Sequence, residues 1–117
     1  MAQILIEGIK VYAHHGCLKE ESIIGGNYIV DVSIEANLSK AAGSDTLKHT
    51  IDYVTVSEIV QKEMAVRSKL IEHVAKRILD ALVKKFSETG SIEVKVTKLN
   101  PPIPGEVEKV SVVLTNK

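Results

Sequence analysis

The chain has 117 residues, enough for one small domain, with fifteen Lys and Arg balanced by fifteen Asp and Glu. Zero net charge argues against a nucleic-acid or anionic-membrane footprint, and one Phe, three Tyr and no Trp leave few rings on which bases could stack. Cys17 is the only cysteine, so no disulfide can form within the chain. No run approaches the roughly 18 apolar residues of a membrane span, and Glu7 stands where a signal peptide would be apolar, so a cytoplasmic protein is expected.

No repeat or low-complexity tract divides the sequence, so residues 1–117 are read as a single domain. Ile4, Leu5, Ile6, Ile9 and Val11 predict a strand over about 3–12, apolar on both faces. From Tyr28 to Leu38 the even positions are apolar and Asp31, Ser33, Glu35 and Asn37 are polar, which predicts a strand with one buried face, antiparallel to the first. The connection His14–Asn27 carries Gly16, Gly25 and Gly26 and is longer than a hairpin needs, the mark of a working loop.

Two helices follow. Val54, Val56, Ile59, Val60 and Met64 fall at helical spacing, with Thr55 and Glu58 in the form of a capping box. Ile71, Val74, Ala75, Ile78, Leu79, Leu82 and Phe86 make a wider stripe, with Ser68 as the expected N-cap and Gly90 as the stop. Period two then returns at Ile92, Val94 and Val96 and, after a Pro-rich turn, at Val110, Val112 and Leu114. The order ββααββ implies an α+β domain, an antiparallel sheet with both helices on one face.

The informative residues are those whose chemistry disagrees with their place in the pattern. Glu72 falls inside the apolar stripe of the second helix, near the positive end of its dipole. It is either a rim carboxylate paired with Lys69 or Lys76, or one held for a ligand with two parallel N–H donors. Lys98 continues the buried series Ile92, Val94, Val96 and is fixed by Asn100-Pro101-Pro102 just beyond it. Either its ammonium snorkels to water, or burial lowers its pKa and makes it an acid–base group. Tyr53 precedes the first helix, where a Tyr commonly covers the core edge; its phenol can also shuttle a proton. Glu21 lies in the charge run Lys19-Glu20-Glu21, by itself a solvated face. His14, His15, His49 and His73 form no i, i+4 pair and there is no CxxC, so no metal site is expected; without GxGxxG or a P-loop, neither is a nucleotide cofactor.

His15-Gly16-Cys17-Leu18 with Glu21 behind it, Thr50-Ile51-Asp52-Tyr53, Leu70-Ile71-Glu72 and Thr97-Lys98-Leu99-Asn100-Pro101-Pro102-Ile103-Pro104-Gly105 together resemble the dihydroneopterin aldolase family of folate biosynthesis. The resemblance spans nearly the whole chain. It implies the tunnelling fold, in which ββααββ subunits join their sheets into a barrel, as a tetrameric ring stacked into a homo-octamer with active sites at subunit interfaces. Asp31, Ser33 and Glu35 would then line the tunnel. By the same resemblance, Glu72 and the Ile71 backbone would anchor the pterin, Lys98 would be the catalytic proton donor and acceptor, Tyr53 would act across an interface, and Glu21 would contact the substrate. The implied reaction is a retro-aldol cleavage without metal or cofactor, with epimerisation at C2′ as a companion. An epimerase of the same fold and a non-catalytic pterin-binding ring protein are the rival readings.

Overall fold

Four strands are built by the period-two segments. The computed structural model describes all of residues 1–117, with β1 at Ala2–Ala13, β2 at Gly26–Ala36, β3 at Ile92–Leu99 and β4 at Lys109–Thr115. They form one antiparallel sheet in the order β1-β2-β3-β4, so β1 and β4 are open edges. Tyr28, Val30, Val32 and Ile34 of β2 and Ile92, Val94 and Val96 of β3 turn to one face and are buried there.

The first strand is apolar at both parities because it contains a bulge. Its register against β2 shifts between Ile6 and Ile9, Gly8 takes a φ of 72°, and the Gly8 N–H donates to Asp31 Oδ1 at 2.8 Å. One extra residue reverses which parity faces inward, so Ile4 and Ile6 share the core side with Ile9 and Val11.

Two longer helices, α3 at Tyr53–Met64 and α4 at Ile71–Lys85, cover that face. Val56, Val60 and Met64 of α3 and Ile71, Val74, Ala75, Ile78, Leu79 and Leu82 of α4 close the core. Each large aliphatic side chain buried there contributes about 1.5–3 kcal/mol.

Several expectations are corrected. The connection after β1 is not all loop: Lys19–Ile24 forms a short helix, α1. The second strand ends at Ala36, and Leu38 turns into a six-residue helix, α2 at Ser39–Ser44, followed by a 3₁₀ turn at Leu47–His49. Helix α3 is capped by Asp52, whose Oδ1 accepts the Val54 N–H at 3.0 Å, while Thr55 and Glu58 lie within the helix. The buried stripe begins only at Val56, because Tyr53 and Val54 are exposed, so the apolar pattern starts a turn later than the helix does. Ser68 does not cap α4, which begins three residues later at Ile71 without a side-chain cap. Gly90 lies beyond the end of α4, its N–H donating to Glu35 O at 2.8 Å, where a β-carbon would crowd that of Glu35.

Candidate active site

Lys98 is two residues past Val96, the last buried valine of β3, on the helix-covered face, and is paired in register with Tyr28. The strand delivers its stem through the core, and its side chain is only 16% exposed. Helix α1 brings Glu21 to meet it. The Lys98 ammonium donates to Glu21 Oε2, and the Glu21 side chain is 15% exposed. Lys98 Nζ also donates to the His15 carbonyl at 3.1 Å and lies 5.9 Å from the centre of the Tyr28 ring.

Lys98 neither snorkels to water nor has its pKa lowered. Burial does push it down and is the largest single influence, but the hydrogen bond to Glu21, with the nearby Tyr28 and the Glu21 charge, outweighs it and leaves Lys98 above its ordinary value. This lysine is thus a paired ammonium. Burial raises the Tyr28 phenol, against the opposing influence of Lys98. The phenol donates its proton to the His15 carbonyl at 2.8 Å.

Glu21 is aimed by its local backbone. Its Oε1 accepts the Leu18 N–H at 3.3 Å, and Gly16, at φ 139°, lets the carboxylate pass where any β-carbon would overlap it. Gly16 is held in turn by its N–H to Ser68 O at 3.0 Å and by Arg67, which donates to its carbonyl at 2.6 Å.

Glu72 sits in the first turn of α4 and is exposed, not embedded in the apolar stripe. The buried stripe starts with Ile71, and Glu72 falls just off its edge; it makes no ion pair with Lys69 or Lys76, the latter being bound to Asp80 at 2.5 Å. What Glu72 faces is a pocket of about 380 Å³ shared with Glu21, Ile71, Lys98, Pro102 and Ile103. A smaller cavity of about 180 Å³ adjoins it on the other side of Glu21 and Lys98, walled by His15, Tyr28 and Gly25. Glu21, Ile71, Glu72 and Lys98 therefore converge within one protomer. Tyr53 does not join them: it is 66% exposed at the start of α3 and lines neither cavity.

No three His, Cys, Asp or Glu side chains are grouped to hold a metal. His15 and His73 are both engaged by Ser68, and His49 by Ser44 at 2.6 Å. In the sequence His15 stands out as a possible metal ligand and as the start of the His15-Gly16-Cys17-Leu18 motif, and Gly16 as part of that motif and of the long loop. Both support the Lys98–Glu21 pair, and the one signal for this was the glycine in an overlong loop.

The fold superposes over its full length on the crystal structure of Escherichia coli dihydroneopterin aldolase in complex with neopterin, with TM-score 0.91, 23% identity and all of both chains covered. Fold and pocket together thus define a tunnelling-fold protein in which a lysine–glutamate ion pair borders a cavity. The family model described as FolB, dihydroneopterin aldolase, matches residues 4–115. Dihydroneopterin aldolase of Bacillus subtilis is 36% identical over 121 residues, covering 100% of this chain and 98% of the relative. That of Streptococcus pyogenes is 34% identical over 118 residues, with 97% of each chain covered. The chain belongs to the dihydroneopterin aldolase family, aldehyde-lyases of folate biosynthesis.

Proposed function

We propose that this chain cleaves the C1′–C2′ bond of 7,8-dihydroneopterin, with Glu72 and Ile71 as the pterin anchor and Lys98 as the proton-transfer group. The observation that carries the assignment of residues is the single pocket uniting Glu72 with the Lys98–Glu21 pair. A pterin offers N3–H and a 2-amino group in parallel, a match for one carboxylate, and the uncapped first turn of α4 offers backbone N–H groups beside it. With the ring so placed, the side chain reaches toward Lys98.

The chemistry needs a base for the 2′-hydroxyl proton and a sink for the electrons released when C1′–C2′ breaks. The C6=N5 imine of the substrate is that sink, so no Schiff base is required. Glycolaldehyde leaves, and protonation of the enamine at C1′ gives 6-hydroxymethyl-7,8-dihydropterin. Lys98 takes the hydroxyl proton through water, and because it rests as an ammonium on Glu21, it must first give up its extra proton, to Glu21 or to solvent. Tyr53, exposed in its own protomer, serves the carbon being protonated in a neighbour's site.

Assembly into a ring, stacked as an octamer, is part of the same reading. The radius of gyration, 15.5 Å, exceeds the roughly 13 Å of a self-contained domain this long, and the protomer leaves both sheet edges open, with Leu5 54% and Val113 51% exposed. A cytoplasmic location goes with this reading; no helix is long and apolar enough to cross a membrane.

The test is incubation of chelator-treated protein with 7,8-dihydroneopterin, following glycolaldehyde and pterins by chromatography. Glycolaldehyde release that is lost in Lys98→Ala is the expected result. A change at C2′ without cleavage would move the assignment to an epimerase, and tight pterin binding without turnover to a non-catalytic ring protein.

A further inference from the structure

The His15 side chain is fully buried, 0% exposed, and has no part in the reaction just described. Its Nδ1 accepts the backbone N–H of Ser68 at 3.0 Å. A backbone amide can only donate, so Nδ1 carries no proton, the ring proton is on Nε2, and the imidazole is neutral. Nε2 is buried and makes no close hydrogen bond, only a weaker backbone contact of the ring with Met64 favouring its proton, a cost that an apolar ring of the same size would largely avoid. What distinguishes histidine here is therefore the acceptor at Nδ1.

That acceptor sits between the two halves of the site. On one side the His15 carbonyl receives Lys98 Nζ and the Tyr28 hydroxyl, and the His15 ring packs edge-on to Tyr28, with centroids 5.3 Å apart. On the other side Ser68 leads directly into Leu70, Ile71 and Glu72, and its hydroxyl is gripped by His73 at 2.8 Å and Arg77 at 2.9 Å. The Gly16 N–H returns to the Ser68 carbonyl, so residues 15–16 and 68 are joined in both directions.

We infer that His15 is a positioning residue whose neutral ring fixes the spacing between the Lys98–Glu21 pair and the first turn of α4. A ligand held at Ile71 and Glu72 is thereby brought into reach of Lys98. This rests on the reading of Lys98 and Glu72 given above.

The test compares His15→Phe, which keeps the ring and loses the acceptor, with His15→Asn, whose side-chain oxygen stands near the place of Nδ1. Expected for His15→Phe is a kcat lower by about ten-fold or more, with affinity for the pterin product little changed, because a misplaced lysine slows the bond-breaking step more than it weakens binding. His15→Asn should keep kcat within about three-fold of wild type even though it fills the cavity less well and melts earlier. A merely structural residue predicts the opposite order, with activity following stability. Wild-type kcat in His15→Phe, or equal impairment in both variants, overturns the inference.

Nitrogen NMR of the wild-type imidazole needs no variant. It should show an unprotonated Nδ1 and a protonated Nε2 at neutral pH, and a protonated Nδ1 would overturn the brace even if His15→Phe failed to fold. Lys98→Ala run in parallel separates the two levels. If it keeps full turnover, the reading of the site falls and the brace with it; if it loses turnover while His15→Phe does not, the brace alone falls.

Discussion

A β-carbon on Gly16 would overlap the carboxylate of Glu21, at a backbone φ of 139° that side-chain-bearing residues rarely adopt. The glycine is thus required twice, once for its conformation and once for the approach of the group that holds Lys98. Gly16→Ala should displace Glu21 from Lys98 and lower kcat/KM by about ten-fold or more, with a modest fall in Tm from backbone strain. Steady-state kinetics beside a melting curve checks this. Activity close to wild type would mean that the loop relaxes without moving Glu21.

Glu72 and Lys98 line one pocket but should separate cleanly in their effects. Glu72→Ala should weaken pterin binding by about 2–4 kcal/mol, the loss of a charge-assisted bidentate pair at a partly desolvated site. Lys98→Ala should keep much of that affinity and lose turnover. Fluorescence titration with a pterin, paired with single-turnover cleavage, distinguishes the two, and a Glu72→Ala protein that binds pterin like wild type would refute the anchor.

Regular periodicity was readable in the sequence wherever one face alone was buried. The alternation along Tyr28–Ala36 and the stripe from Ile71 to Leu82 set the sheet face and the covering helix. Reading failed where partners distant in sequence decided the outcome. Ser68 has the side chain of an N-cap, yet its groups are taken by His15, His73 and Arg77. Lys98 is partly buried, on the face its parity predicts, but the sign of its pKa shift depends on Glu21, 77 positions away, a contact no local pattern encodes. Glu72 was singled out for a burial it does not have; its place in the pocket comes from the start of α4, not from the stripe.

The Lys98–Glu21 pair has a sign that kinetics can read. Burial lowers the Lys98 pKa and the Glu21 carboxylate raises it, the net effect being upward. Glu21→Gln removes the raising charge and leaves the burial, so the lysine should lose its proton at lower pH than in wild type. If Lys98 acts as a base, the rise of kcat/KM on the alkaline side should move to lower pH in Glu21→Gln. A limb that stays in place would show that it belongs to another group.

Tyr53 is exposed at the head of α3, capped by Asp52 and away from the pocket of its own protomer. If it serves a neighbour's site, Tyr53→Phe and Lys98→Ala proteins, each impaired alone, should regain activity when unfolded together and reassembled. A random equal mixture gives about a quarter of the sites both native residues, and so about a quarter of wild-type activity. No recovery, with mixed assembly verified by mass, would confine the site to a single chain.

His15 should also make the folded state acid-sensitive. Burial first, then the Arg77 charge, hold its pKa at about 4 against an ordinary 6.5; a backbone contact with Met64 opposes them, and Lys98 and His14 add to the lowering. Between those two values the unfolded chain binds a proton that the folded chain refuses, so stability falls as pH drops from about 6.5 towards 4, and above that window His15 contributes no pH dependence. Protonation would also put a hydrogen on Nδ1, where the Ser68 N–H must be received. His15→Phe has no such proton to refuse, and its stability should fall less over the same interval. Urea midpoints of both proteins at about pH 7 and about pH 5, at one fixed protein concentration so that assembly does not differ, give the comparison. Equal falls in the two proteins would assign the acid sensitivity to other groups and leave His15 uncharged for reasons that folding does not register.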